Sequence, residues 1–204
     1  MVELESKYEM AIWSAKMLFN KGLVSGSTGN LSFIHNGKMY VSQSGSCFGR
    51  IDKNSFAIVD MDGSVLEGKP SKEYPIHLAI YQNDTSIEAV IHTHSLNSTI
   101  FSCLKEVEKK TKDLFSLTPY LEMKTSGKIK CVDYARPGSK ELFENFRNQV
   151  DKDVKAYILK NHGLVAAGKS IYEVFDLIEE FEMSAAIQLA TKHYINKEFN
   201  DRYE

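Results

Sequence analysis

Two tight-turn signals constrain the topology of this chain more than any other feature. Asn36-Gly37 separates residues 31–34 from 38–42, and Asp62-Gly63 separates residues 56–60 from 64–66. These dipeptides readily take the positive backbone angles that short hairpin turns demand, so each predicts a pair of antiparallel strands. Consecutive hairpins preclude a simple alternation of strand and helix. Combined with the helical segments below, they predict an α/β fold with a mixed sheet and helices on both faces.

The helical segments follow from spacing and caps. Met10, Trp13, Met17 and Leu18 recur near helical period within residues 5–21, and Gly22 ends that run. Residues 71–82 read as a helix capped by Ser71, with Pro75 tolerated in its first turn. Residues 87–94 read as a strand, after which Ser95 caps a short helix to about residue 104. Residues 105–113 are charged and read as solvated surface. Residues 128–134 are extended, and 139–150 form a helix after the Arg136-Pro137-Gly138 turn. Strands at 154–159 and 164–167 flank Asn161-His162-Gly163, and a last helix opens on the capping box Ser170-Ile171-Tyr172-Glu173 and runs to about residue 194. With no repeat and no linker, residues 1–204 are expected to form one domain, long enough to bury a good core.

An apolar fraction of 43% and a charged fraction of 25% argue against disorder. The formal charge of −2 gives no electrostatic pull toward nucleic acid or an anionic membrane. No apolar run approaches the ~18 residues of a membrane span, and Met1-Val2-Glu3-Leu4-Glu5 lacks the basic start and apolar stretch of a signal peptide. Cys47, Cys103 and Cys131 are odd in number and widely spaced, which fits a reducing cytoplasm. The expectation is a cytoplasmic protein with neither nucleic acid nor membrane as partner.

The chemistry concentrates in three histidines. His92 and His94 lie two apart on a strand, so both side chains point to one face and can grip one ion together. His162, before Gly163, can join them, although a buried turn histidine fits that position equally well. Three neutral imidazoles with a position left open suit a catalytic zinc ion, which polarises carbonyls and stabilises enolates. Glu73, in the first turn of its predicted helix, either complements the helix dipole or serves as an acid/base beside the metal. His77 reads as a packing residue, and His35 and His193 as surface. Thr28-Gly29-Asn30, Ser44-Gly45 and Ser71-Lys72 look like anion cradles, since small residues let backbone N–H groups approach and hydroxyls donate. No nucleotide-binding glycine signature is present.

Ser27-Thr28-Gly29-Asn30-Leu31-Ser32, Pro70-Ser71-Lys72-Glu73, His92-Thr93-His94 and Asn161-His162-Gly163-Leu164, in this order, resemble the class II aldolase/adducin family over nearly the whole chain. The resemblance implies a three-layer α/β/α fold with a mixed, largely antiparallel central sheet. It implies one zinc ion per subunit on His92, His94 and His162, and a Glu73 that ligates the empty metal or acts as acid/base. It also implies phosphate binding by Asn30, Ser44, Gly45 and Ser71, with Thr28 in the same cradle, and a homotetramer with sites at subunit interfaces.

Finer features resemble one branch, the 3-oxo-tetronate 4-phosphate decarboxylases: residues 44–49 with Cys47 inside, Leu117-Thr118-Pro119-Tyr120, and Tyr134-Ala135-Arg136-Pro137-Gly138. Ser71-Lys72-Glu73 stands where fuculose-phosphate aldolases typically carry Ser-Ser-Glu, which adds a cation. That branch implies decarboxylation to dihydroxyacetone phosphate through a metal-stabilised enediolate, protonated at C2 by Glu73 or a water it orients. Lys72 and Arg136 are the candidates for holding the substrate carboxylate, Arg because its fork donates two parallel bonds. Tyr120 is a candidate proton donor from a neighbouring subunit. The alternatives are a sugar-phosphate aldolase of the fuculose 1-phosphate type, a related dehydratase or pentose-phosphate epimerase, and an adducin-like assembly module without chemistry.

Overall fold

Asn36 and Gly37 take φ values of 49° and 70°, and the hairpin they were expected to close is present. The computed structural model describes residues 2–191. Helix α1 (Val2–Asn20) leads to the hairpin of β1 (Asn30–His35) and β2 (Lys38–Ser42). Two single 3-10 turns precede the second hairpin, β3 (Phe56–Asp60) and β4 (Val65–Glu67). Then come α2 (Tyr74–Asn83), β5 (Ala89–Thr93) and α3 (Leu96–Ser102). The short helices α4 (Val107–Lys110), α5 (Asp113–Ser116) and α6 (Tyr120–Thr125) lead to β6 (Ile129–Val132). Helix α7 (Lys140–Gln149), strands β7 (Ala156–Leu159) and β8 (Gly163–Gly168), and helix α8 (Ile171–Thr191) complete the described chain.

The strands form one sheet in the order β4-β3-β2-β1-β5-β8-β7-β6. Every neighbouring pair is antiparallel except β6 with β7. One face is covered by α1, α3 and α8, whose Leu18, Phe101 and Phe181 pack with Leu31, Ile91 and Leu164. The other carries α2 and α7, whose Ile76 and Phe146 pack with Val90, Tyr157 and Val165. With both faces covered, β5 and β8 are buried along their whole length and read as near-continuous apolar runs. Side chains alternate between faces, so His92 points with Val90 toward the α2 side. No helix among the described residues is long and apolar enough to cross a membrane.

Helix α2 begins at Tyr74, not at Ser71 as the cap signal suggested, and Glu73 occupies the N-cap. Pro75 has no N–H to return to the Ser71 carbonyl, so the bond that would open a helix there cannot form. Tyr74 N–H takes that carbonyl instead, at 3.1 Å. No side chain caps α2; burial of Ile76, Leu78 and Ile80 holds it, each contributing about 1.5–3 kcal/mol when fully buried. The box before α8 forms by half. Ser170 Oγ accepts from Glu173 N at 3.1 Å, while the Glu173 carboxylate turns to Lys169 N and the Lys155 ammonium. His35 is buried beside Tyr40, not on the surface, because α1 folds over the hairpin there. Residues 105–113 include α4, whose Val107 is buried. His193 and the expected helix end near 194 lie outside the described residues.

Candidate metal centre

Four side chains from three elements meet at one end of the sheet. His92 ends β5, His94 follows just beyond it, His162 sits in the β7–β8 turn, and Glu73 arrives at the N-cap of α2. Gly163 makes the approach possible: a Cβ there would lie 2.3 Å from the Thr93 carbonyl oxygen and 3.0 Å from His94. Asn161, at φ 54°, supplies the left-handed residue that turns the chain into β8. Gly29 plays a matching part on the β1 side, since a Cβ at that position, φ 76°, would lie 2.8 Å from the His92 carbonyl oxygen.

One ligand-type atom from each of Glu73, His92, His94 and His162 falls within 4.8 Å of the others. His92 Nε2 lies 2.9 Å from His94 Nε2, 3.3 Å from His162 Nε2 and 3.2 Å from Glu73 Oε2. Zinc bonds of about 2.0–2.1 Å in a tetrahedron place donor atoms roughly 3.3 Å apart, so the spacing fits such an ion. The polarity fits too. His92 Nδ1 lies 2.9 Å from the Leu164 carbonyl oxygen, which can only accept, so Nδ1 carries a proton and donates. With Nδ1 so engaged, His92 turns its Nε2 toward two other imidazole nitrogens and a carboxylate, an arrangement that a cation between them reconciles. Glu73 Oε1 is buried with no hydrogen-bond partner and stands 3.6 Å from His162 Nε2.

The local electrostatics keep the donor atoms available. Burial pushes His94 down to about 3 and His162 to about 4, both helped by the neighbouring His92. Burial alone would raise the Glu73 carboxyl, but the bond to His92 and the field of the three rings outweigh it and bring it to about 2. At neutral pH the cluster therefore offers two lone-pair imidazoles and a carboxylate in addition to His92.

A cleft of about 390 Å³ opens beside this cluster, bounded by Glu73, His94 and His162 on one side. Thr28, Gly29, Asn30, Ser44, Gly45, Ser71 and Lys72 line the remainder, with Pro137 and Gly138 across from them. The loop at 42–46 is stitched to the α2 approach by Ser44 N to Lys69 O (2.9 Å) and Ser71 N to Ser42 O (3.0 Å). Thr28 commits its N–H and its hydroxyl to the Ser25 carbonyl, at 3.0 and 2.6 Å, and so shapes its loop. Arg136 is exposed and its neighbours Pro137 and Gly138, not Arg136 itself, line the cleft. Tyr120 is 59% exposed at the start of α6 and is not part of the lining within one chain. Sequence reasoning passed over Gln43 and Ser46, which also line the cleft. It also took His77 for packing alone, although that ring hydrogen-bonds Asn30; its position four residues after Glu73, on the same helix face, was the available signal.

The model of the Class II Aldolase and Adducin N-terminal domain matches residues 10–189. The chain belongs to this family. Among class II aldolase relatives, it is 37% identical over 188 residues to the 3-oxo-tetronate 4-phosphate decarboxylase of Pectobacterium atrosepticum, covering 91% of this chain and 84% of that one. It is 40% identical over 172 residues to the L-fuculose phosphate aldolase of Methanococcus maripaludis, covering 84% and 90%. The crystal structure of Escherichia coli YgbL, a candidate aldolase, epimerase or decarboxylase, superposes with a TM-score of 0.86 at 33% identity, covering 98% of this chain and 95% of that one.

Proposed function

We propose that the protein is a metal-dependent carbon–carbon lyase that decarboxylates a 3-oxo-tetronate 4-phosphate to dihydroxyacetone phosphate and carbon dioxide. His92, His94 and His162 would hold one zinc ion per subunit. When bound, that ion polarises the C3 carbonyl and stabilises negative charge as it develops. Asn30, Ser44, Gly45 and Ser71 bind the phosphoryl group, with Asn30 at the end of the loop that Thr28 shapes. Lys72 orients the carboxylate loosely enough to let it depart, since a tight clamp would favour the ground state. The C1–C2 bond breaks, its electron pair stays on C2, and a proton from water reaches C2, either relayed through the Glu73 carboxylate or delivered by a water it orients.

The observation that carries this reading is Lys72 on the wall of a cleft that also holds the histidine cluster and the two small-residue loops. A substrate with a phosphate and a departing carboxylate needs that second cation; a ketose phosphate does not. The decarboxylase relatives point the same way. Zinc-loaded protein offered the substrate should form dihydroxyacetone phosphate in an assay coupled to glycerol-phosphate dehydrogenase. A rate no higher than that of metal-stripped protein overturns the proposal.

The Methanococcus relative favours a second reading, cleavage of a ketose 1-phosphate such as fuculose 1-phosphate. It would use the same metal and phosphate sites with an aldehyde leaving in place of carbon dioxide. Offering both substrates side by side separates the two. In either case the partner is a small phosphorylated sugar acid or sugar in the cytoplasm. We read the active form as a homotetramer in which the exposed Tyr120 of α6 reaches a neighbouring subunit's cleft as a proton donor, with Arg136 at its rim.

A further inference from the structure

Asn30 does not stand alone in the wall of the cleft. His77 Nε2 lies 2.5 Å from its Oδ1, His77 Nδ1 lies 2.7 Å from Ser32 Oγ, and Ser32 Oγ lies 2.8 Å from the Tyr81 hydroxyl. Ser32 is two residues along β1 from Asn30, and Tyr81 is one turn along α2 from His77, so strand and helix meet through these four side chains. Tyr81, Ser32 and His77 are each 2% exposed or less; only Asn30 also borders the cleft.

We propose that Tyr81, Ser32 and His77 form a one-way hydrogen-bond chain that fixes the side-chain amide of Asn30, turning its two N–H donors toward the anion pocket. This rests on reading that pocket as the phosphate site. The direction follows from proton bookkeeping. The Tyr81 hydroxyl has one proton and, among the described residues, one side-chain partner, Ser32. If Tyr81 donates, the Ser32 hydroxyl passes its own proton to His77 Nδ1, and His77 Nε2–H donates to Asn30 Oδ1; every proton has an acceptor. Reversing the chain leaves the buried Tyr81 proton without a partner and turns the Asn30 carbonyl oxygen toward an incoming anion. Burial holds His77 neutral, pushed down to about 3, so its ring carries the single N–H that the chain requires. Asn30 also pairs with His92 across β1 and β5, so its backbone is fixed relative to the metal cluster.

The three buried residues are positioning residues, and their state can be read directly. In 15N-histidine-labelled protein, long-range proton–nitrogen correlation spectra, assigned with a His77→Gln variant, should show His77 protonated on Nε2 alone. A proton on Nδ1 overturns the chain. Ser32→Ala should weaken binding of inorganic phosphate about threefold to tenfold, the scale of one lost hydrogen bond, with zinc content unchanged. Asn30→Ala separates the two levels of the argument. Undiminished phosphate binding in that variant defeats the phosphate reading of the pocket. Loss of phosphate in Asn30→Ala but not in Ser32→Ala defeats the chain and leaves the reading standing.

Discussion

Glu73 Oε2 stands 3.2 Å from His92 Nε2, while the other nitrogen of that ring lies 2.9 Å from the Leu164 carbonyl oxygen. The backbone of β8 thus sets the imidazole's tautomer, and the N-cap of α2 sets the carboxylate against it. Under the proposed reaction three imidazoles would hold the zinc and Glu73 would serve proton transfer. Glu73→Gln is expected to retain stoichiometric zinc by metal analysis and to lose turnover by about 10²–10⁴-fold, the usual contribution of a positioned acid/base. Near-normal turnover would remove that role.

The same crowding of nitrogens predicts a stability response to metal. The Nε2 atoms of His94 and His162 crowd that of His92 at 2.9 and 3.3 Å, a spacing that a shared cation relieves. Zinc added at about a hundred times its Kd should stabilise the fold by about 2.7 kcal/mol, raising the melting temperature by about 5–10 °C. His94→Ala should abolish the shift. An equal shift in that variant would place the metal elsewhere.

Under the proposed reading, Lys72 is the residue that should separate the two candidate reactions. Lys72→Ser restores the Ser-Ser-Glu pattern of the aldolases and removes the ammonium from the cleft wall. Loss of one charge-assisted contact corresponds to about 10–100-fold in kcat/KM for the 3-oxo acid phosphate. A phosphate-only substrate or inhibitor should be affected less than threefold, on the order of an exposed charge pair's contribution. An equal loss for both would mean that Lys72 serves the phosphoryl group and not the carboxylate.

Local chemistry made much of this molecule legible. Asn36-Gly37 and Asp62-Gly63 announced their hairpins because turn conformation is a property of the dipeptide itself. His92-Thr93-His94 announced a shared face because strand period is fixed. The start of α2 was misplaced because the Ser71 signal was weighed without the bond that Pro75 deletes. The burial of His35 depends on α1 lying across the first hairpin, which no nearby residue encodes. The orientation of Asn30 depends on His77, 47 residues away, and the start of α3 depends on a carboxylate still more distant. Contacts of that range are set by packing, and a single sequence does not display them.

That distant carboxylate is Glu182 on α8. Its Oε1 accepts from Asn97 N and Asn97 Nδ2, at 2.8 and 2.9 Å, and its Oε2 accepts from Ser98 N and Ser98 Oγ, at 2.9 and 2.7 Å. The Ser95 side chain, expected to cap α3, makes no bond to the helix's backbone; its hydroxyl goes to Ser98 Oγ, and Glu182 satisfies the N–H groups of Asn97 and Ser98 instead. Burial by itself would raise the Glu182 carboxyl, but the bonds from Ser98 and Asn97 outweigh it and hold the group below the ordinary carboxylate range. A carboxyl lowered in the folded state contributes stability that is complete above its unfolded value, near ~4.3, and is lost as pH falls through its folded value. Glu182→Gln sets an amide N–H₂ against donors and should cost about 1–3 kcal/mol at pH 7, lowering the melting temperature by about 2–12 °C. The gap between wild type and variant should stay level from pH 7 to about 5 and close below about 4, as the wild-type carboxylate takes up its proton. A gap that widens toward acid, or is absent at pH 7, would show that the carboxylate's charge is not what holds the start of α3 next to His94.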